Sequence, residues 1–179
     1  MPSTTSSPES SAARARLFLG IPVRLDAYEA IRKHLSPLLR GRWVDDSQLH
    51  LTLAFLGERF TPCEVLQRLE RCDMFFEASI VSNLGYFRRN HILYASTEHP
   101  SLQKLTSDIQ QSLELPVVTL TPHITLMRVK AVHDYSRFNA ERALFEGHRL
   151  GMLERRIVLY ESTLHPTGAR YKALQVWPV

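Results

Sequence analysis

Apolar positions along the chain change period repeatedly, and each change of period marks an element. Arg16–Ile21 predicts a first strand. Leu25, Tyr28, Ile31, Leu35 and Leu38 then fall on one stripe at helical spacing, predicting a helix over Leu25–Leu39 that Pro37 and Gly41 help to end. Gln48–Leu56 alternates as a strand does. Thr61-Pro62 opens a second helix running through Val65, Leu66 and Leu69, with Glu64 completing a capping box. Strands follow at Glu77–Leu84 and His91–Ala95. Pro100-Ser101 introduces a helix to about Leu113 that buries Leu102, Leu105, Ile109 and Leu113. A strand over His123–Val129 and a short helix over Arg137–Glu146 come next. Leu150–Glu161 and Arg170–Trp177 read as a hairpin joined through the His165–Gly168 turn. Strand, helix and strand thus recur twice with a His-x-Thr strand in each half, an order that suggests duplicated lobes packed around a central cleft, while periodicity alone does not establish a repeat.

Composition narrows this picture modestly. Residues 1–14, rich in Ser, Thr, Pro and Ala, cannot bury enough surface to offset their ordering entropy and read as a disordered tail, leaving 15–179 as a single domain. With 44% hydrophobic and 22% charged residues the chain reads as a globular protein. Its apolar runs are too short to span a bilayer, and Leu17–Val23 is too short for a secretory signal, so a cytoplasmic monomer with no membrane partner is expected. Cys63 and Cys72 read as free thiols. The net charge of +4 suits an anionic partner, although the arginine pairs are scattered and most read as solvated faces.

Candidate chemistry sits on two of the predicted strands. His50-Leu51-Thr52-Leu53 and His123-Ile124-Thr125-Leu126 repeat one pattern, with His and Thr on one face and Leu51, Leu53 and Phe55 on the other. A third His-x-Thr, His165-Pro166-Thr167, lies in a turn and reads as accidental. In-line displacement at a phosphodiester needs one imidazole to take a proton, a second to give one, and small donors for the phosphoryl oxygens. Two matched His-x-Thr strands supply that set. Taken singly, each is a core histidine capped by a hydroxyl; as a pair they point to catalysis.

The segments Leu49–Glu58 and Pro122–Arg128 resemble the paired signatures of the two-histidine phosphoesterase superfamily, in particular its RNA 2′,3′-cyclic phosphodiesterase branch, also called the 2′-5′ RNA ligase family. Supporting similarity runs through Arg16–Pro22, Val158–Ser162 and Tyr171–Leu174. The resemblance implies a bilobal α+β fold with two antiparallel sheets, helices outside, and the motif strands facing one another across a groove. It implies His50 as proton donor to the leaving 3′ oxygen and His123 as proton acceptor, giving a 2′-phosphomonoester without metal or cofactor. RNA with a 2′,3′-cyclic phosphate end, or a small cyclic-phosphate nucleotide, is then the expected partner, and reversal would form a 2′-5′ linkage.

Thr52 and Thr125 are the expected phosphate donors. The resemblance adds Arg128, although strict alternation puts it on the face opposite His123 and Thr125, so that it reaches the cleft only if the strand ends or bulges. Tyr86 or Phe87, in a predicted loop beside Arg88-Arg89, are candidates to stack a base, with core packing as their ordinary role. The histidines stand apart from Cys, Asp and Glu clusters, which argues against a zinc site. The chain has no Gly-x-Ser-x-Gly and no Gly-rich Lys-Ser/Thr loop. The alternative that stays open is a non-catalytic module that holds an RNA end or nucleotide phosphate in the same cleft.

Overall fold

The computed structural model describes residues 15–166 and 168–179. The predicted tail, and Thr167 of the third His-x-Thr, lie outside them. The strands are β1 (Arg16–Arg24), β2 (Leu39–Trp43), β3 (His50–Gly57), β4 (Ile80–Val81), β5 (Asn83–Phe87), β6 (Ile92–Ser96), β7 (His123–Val132), β8 (Gly151–Leu153), β9 (Arg156–His165) and β10 (Gly168–Pro178). The helices are α1 (Tyr28–Leu35), α2 (Pro62–Leu69), α3 (Pro100–Ser112) and α4 (Tyr135–Ala143).

Every strand pairing is antiparallel, in the order β10-β9-β1-β3-β7-β6-β5. The two sheets expected from the resemblance are therefore joined into one hydrogen-bonded path. The join is narrow: β3 meets β7 at the single pair Leu51↔Ile124. Met127 and Arg128 pair with β6 on one side and β2 on the other, so β2 takes over the edge of β7 that β3 leaves. A fork opens between β3 and β2.

Leu19, Ile21, Leu51, Leu53, Ile124 and Leu126 are buried with Ile31, Leu35, Leu105 and Ile109 of α1 and α3. At about 25 cal/mol per Å² of apolar surface removed from water, this layer supplies the main favourable free energy of folding. The capping box of α2 is present as predicted, Thr61 and Glu64 each satisfying the other's backbone.

Four elements differ from expectation, the first being the strand predicted over Glu77–Leu84, which is split at Ser82 into β4, paired with β8, and the start of β5, paired with β6. Helix α1 stops at Leu35, and after a single 3₁₀ turn containing Pro37 the chain forms β2, whose Arg40-Gly41-Arg42 centre has no apolar period to betray it. Tyr86 and Phe87 lie in β5, because Leu84, Tyr86 and Phe87 form a continuous ladder with β6 rather than a loop. The predicted strand over Leu150–Glu161 is broken at Glu154-Arg155, where β8 leaves to pair with β1 and β4.

Candidate active site

The pair Leu51↔Ile124 is the point about which the two motifs are related, since each residue directly follows its motif histidine. Antiparallel register one step to either side sets His50 against Thr125 and Thr52 against His123, with all four side chains on one face. The matching extends outward. Both strands begin with the same burial sequence: half-buried His and Thr, then two successive buried residues, an exposed one and another buried one.

The two successive buried residues come from a bulge at the third position after each histidine. In β3, Leu19 and Gly20 pair with Ala54 and Thr52, leaving Leu53 as the extra residue; in β7, Leu93 and Tyr94 pair with Met127 and Thr125, leaving Leu126. An extra residue reverses the faces of everything beyond it. Phe55, expected on the buried face with Leu51 and Leu53, is instead 77% exposed. Arg128, at the equivalent position, is turned onto the His123 and Thr125 face. The bulge carbonyl of Leu126 is not orphaned, because it accepts from Val44 N–H at 2.8 Å and from the Tyr28 hydroxyl at 3.2 Å.

Both histidines are held alike. His50 Nδ1 lies 2.8 Å from the Gln48 carbonyl and His123 Nδ1 lies 2.8 Å from the Thr121 carbonyl. A carbonyl only accepts, so each Nδ1 carries a proton and each Nε2 is left to exchange one. Their surroundings differ. His50 packs against Phe18 at 4.9 Å and edge-on against Tyr171 at 5.0 Å, with Tyr160 behind. Gly20 leaves room beneath it, where a Cβ would come 3.4 Å from the ring. Burial holds the His50 imidazole below its ordinary value; the Gln48 carbonyl opposes that shift and the nearby His123 adds to it. His123 stands edge-on to Phe87 at 5.4 Å and to Tyr94 at 6.0 Å, rings that stack on each other because Gly85 opposite Tyr94 has no Cβ.

The fork between β3 and β2 opens into a cavity of about 830 Å³ lined by His50, Thr125, Arg128, Phe55, Phe18 and Tyr171, among others. His123 and Thr52 share its face but are not among its lining residues. Tyr86 turns away from His123, packing on Phe138 and meeting His91, so of the two proposed stacking residues only Phe87 is near a motif. Sequence reasoning missed Phe55 as a cleft residue, together with Phe18, Tyr160 and Tyr171 as the wall around His50. The signal for Phe55 was present: Leu53-Ala54 and Leu126-Met127 both interrupt the alternation at the same place. Among the described residues no three His, Cys, Asp or Glu side chains gather as a metal-binding set. No described helix is long and apolar enough to cross a membrane.

A helix-backed antiparallel sheet presenting two His-x-Thr strands on one face defines a phosphoesterase architecture. Residues 20–94 match the model of the LigT-like phosphoesterase family. Over 89% of its length the chain is 30% identical to an RNA 2′,3′-cyclic phosphodiesterase of Thermotoga maritima, covering 92% of that protein. It is 25% identical to one from Methanocaldococcus jannaschii, over 90% of this chain and 99% of the relative. In three dimensions it is similar to E. coli LigT complexed with 3′-AMP, with a TM-score of 0.68 and 22% identity over 92% of this chain and 98% of that one. The chain belongs to the two-histidine, LigT-like phosphoesterase family.

Proposed function

We propose that this protein hydrolyses RNA or nucleotide 2′,3′-cyclic phosphate ends to 2′-phosphomonoesters, using His50 and His123 and neither metal nor cofactor. The observation that carries the reading is the Leu51↔Ile124 pair, about which two imidazoles with matching backbone bonds flank one patch of sheet. In-line displacement needs opposed proton acceptor and donor, and a local two-fold arrangement provides them. His123 Nε2 takes a proton as water attacks phosphorus; the P–O3′ bond breaks as His50 Nε2–H protonates the 3′ oxygen. The new P–O bond is to the water oxygen, and the retained P–O2′ bond keeps the phosphate on O2′. Thr52 and Thr125 donate to the equatorial oxygens, and Arg128 neutralises the charge they gain.

As donor, His50 has to be protonated, which its burial opposes; the phosphodiester anion bound beside it works the other way. Phe55 offers an exposed ring to a base. The matched burial, bulges and histidine bonds of β3 and β7 support reading the fold as a duplicated, bilobal unit within one domain. With a 5′ hydroxyl attacking phosphorus in place of water, the same proton transfers would form a P–O5′ bond as P–O3′ breaks, joining a 2′,3′-cyclic end to that hydroxyl as a 2′-5′ linkage, and the step is reversible. The cyclic phosphodiesterase activity of the relatives and the 3′-AMP complex of LigT support the substrate class.

The test is to incubate the protein, in EDTA, with an oligonucleotide ending in 2′,3′-cyclic phosphate and identify the product isomer. A 2′-monoester is expected. Tight binding without turnover would replace this reading with the non-catalytic one.

A further inference from the structure

The cavity is larger and more basic than the reacting group requires. Arg16, Arg42, Arg128 and Arg170 line it against one carboxylate, Asp45, and that carboxylate accepts from the Ser47 backbone and hydroxyl. Among the described residues none of the four arginines is ion-paired. Arg42 and Arg128 are direct partners across β2 and β7, an arrangement of like charges that costs stability unless an anion lies between or beside them. The Arg42 guanidinium is also seated. It lies on the β9–β10 turn at Gly168, where a Cβ would fall 2.8 Å from Nη1 and 2.9 Å from Cζ.

Arg16 and Arg170 line the cavity from the end of the sheet away from the Leu51↔Ile124 pair. Thr52 pairs with Gly20 and Phe55 with Phe18. Arg16 lies four residues beyond Gly20 on β1, about 13 Å at the usual rise per residue. Arg170 reaches the same end of the cavity from β10, where its neighbour Tyr171 pairs with Ser162, the partner of Arg16. The cavity volume of about 830 Å³ is toward the upper end of the roughly 300–1,000 Å³ that encloses one small ligand.

We propose that Arg16, Arg42 and Arg170 form a second anion subsite, which holds the phosphodiester at the 5′ oxygen of the terminal nucleotide and makes polymeric RNA the preferred substrate over a single nucleoside cyclic phosphate. This rests on the hydrolytic reading above and adds its specificity. The three guanidiniums neutralise a backbone phosphate that a nucleoside 2′,3′-cyclic phosphate lacks.

The experiment compares kcat/KM on a nucleoside 2′,3′-cyclic phosphate without a 5′ phosphate and on a hexanucleotide with the same 3′ end. Wild-type protein is expected to favour the hexanucleotide by about tenfold or more, and log kcat/KM for it to fall with log salt more steeply by about 0.7 for each extra phosphate neutralised. Arg42→Ala, and separately the double variant Arg16→Ala/Arg170→Ala, are expected to remove most of that preference and the added salt slope while leaving the nucleoside substrate within about twofold. Equal wild-type kcat/KM on the two substrates, or variants that depress both alike, would overturn the subsite. Failure to turn over either substrate would instead sink the hydrolytic reading on which it rests.

Discussion

His50 and His123 make the same bond to a carbonyl two residues upstream, yet His50 alone sits in a wall of three aromatic rings. Replacing either with Ala is expected to lower kcat on a cyclic-phosphate nucleotide by about 10²–10⁴, the usual worth of a positioned proton-transfer group. An unchanged far-UV circular dichroism spectrum separates this loss from unfolding. The roles can be told apart through the pKa of His50, which burial holds down. Tyr171→Ser opens the ring to water and moves that pKa up toward its ordinary value. A donor with a raised pKa stays protonated to higher pH, so the alkaline limb of the kcat/KM profile of the free enzyme is expected to move up. If the acid limb moves up instead, His50 is the acceptor and the two roles exchange.

The bulges at Leu53 and Leu126 decide which residues of the motif strands meet the cavity, and their effect is measurable as a reversal of the usual hydrophobic ranking. Leu53→Ala removes a core side chain and is expected to cost about 2–5 kcal/mol in urea unfolding, whereas Phe55→Ser, larger in lost apolar surface, is expected to stay within about 0.5 kcal/mol because the ring is already in water. A Phe55→Ser loss matching that of Leu53→Ala would put Phe55 back in the core and remove the bulge from the account. Regular periodicity made β1, β3, α2, α3 and the β9–β10 hairpin legible in the sequence, along with the motif residues His50, Thr52, His123 and Thr125. What escaped was set by pairing rather than by period. Strand β2 is exposed at Arg40-Gly41-Arg42 and exists because β7 offers an edge; at Gly41 a Cβ would come 2.2 Å from the Arg128 carbonyl, so the two backbones close only through glycine. Phe55 and Arg128 follow a phase slip that strict alternation assigns to the wrong face. Tyr160 and Tyr171 come from the far end of the chain and reach His50 only because β9 and β10 pair onto β1.

At the scale of the whole molecule, two groups of strands, β1, β3, β9 and β10 on one side and β2, β5, β6 and β7 on the other, share a seam one residue pair wide. A seam with so few backbone bonds opens at lower free energy than the ladders flanking it. The phosphate is proposed to bind across it, contacted by His50 and Thr52 from one group and by His123, Thr125 and Arg128 from the other. A nucleoside 2′-phosphate at one hundred times its Kd adds about 2.7 kcal/mol to stability by mass action alone, expected to raise Tm by roughly 5–11 °C for a chain of this size. The location of the added protection carries the structural information. Hydrogen exchange at the Leu51 and Ile124 amides is expected to slow by more than that at Val158 and Leu159, which lie in the part of β9 paired on both sides. Slowing confined to the amides of one strand group would mean that the ligand touches a single motif, and a reaction requiring both imidazoles at one phosphorus could not take place there.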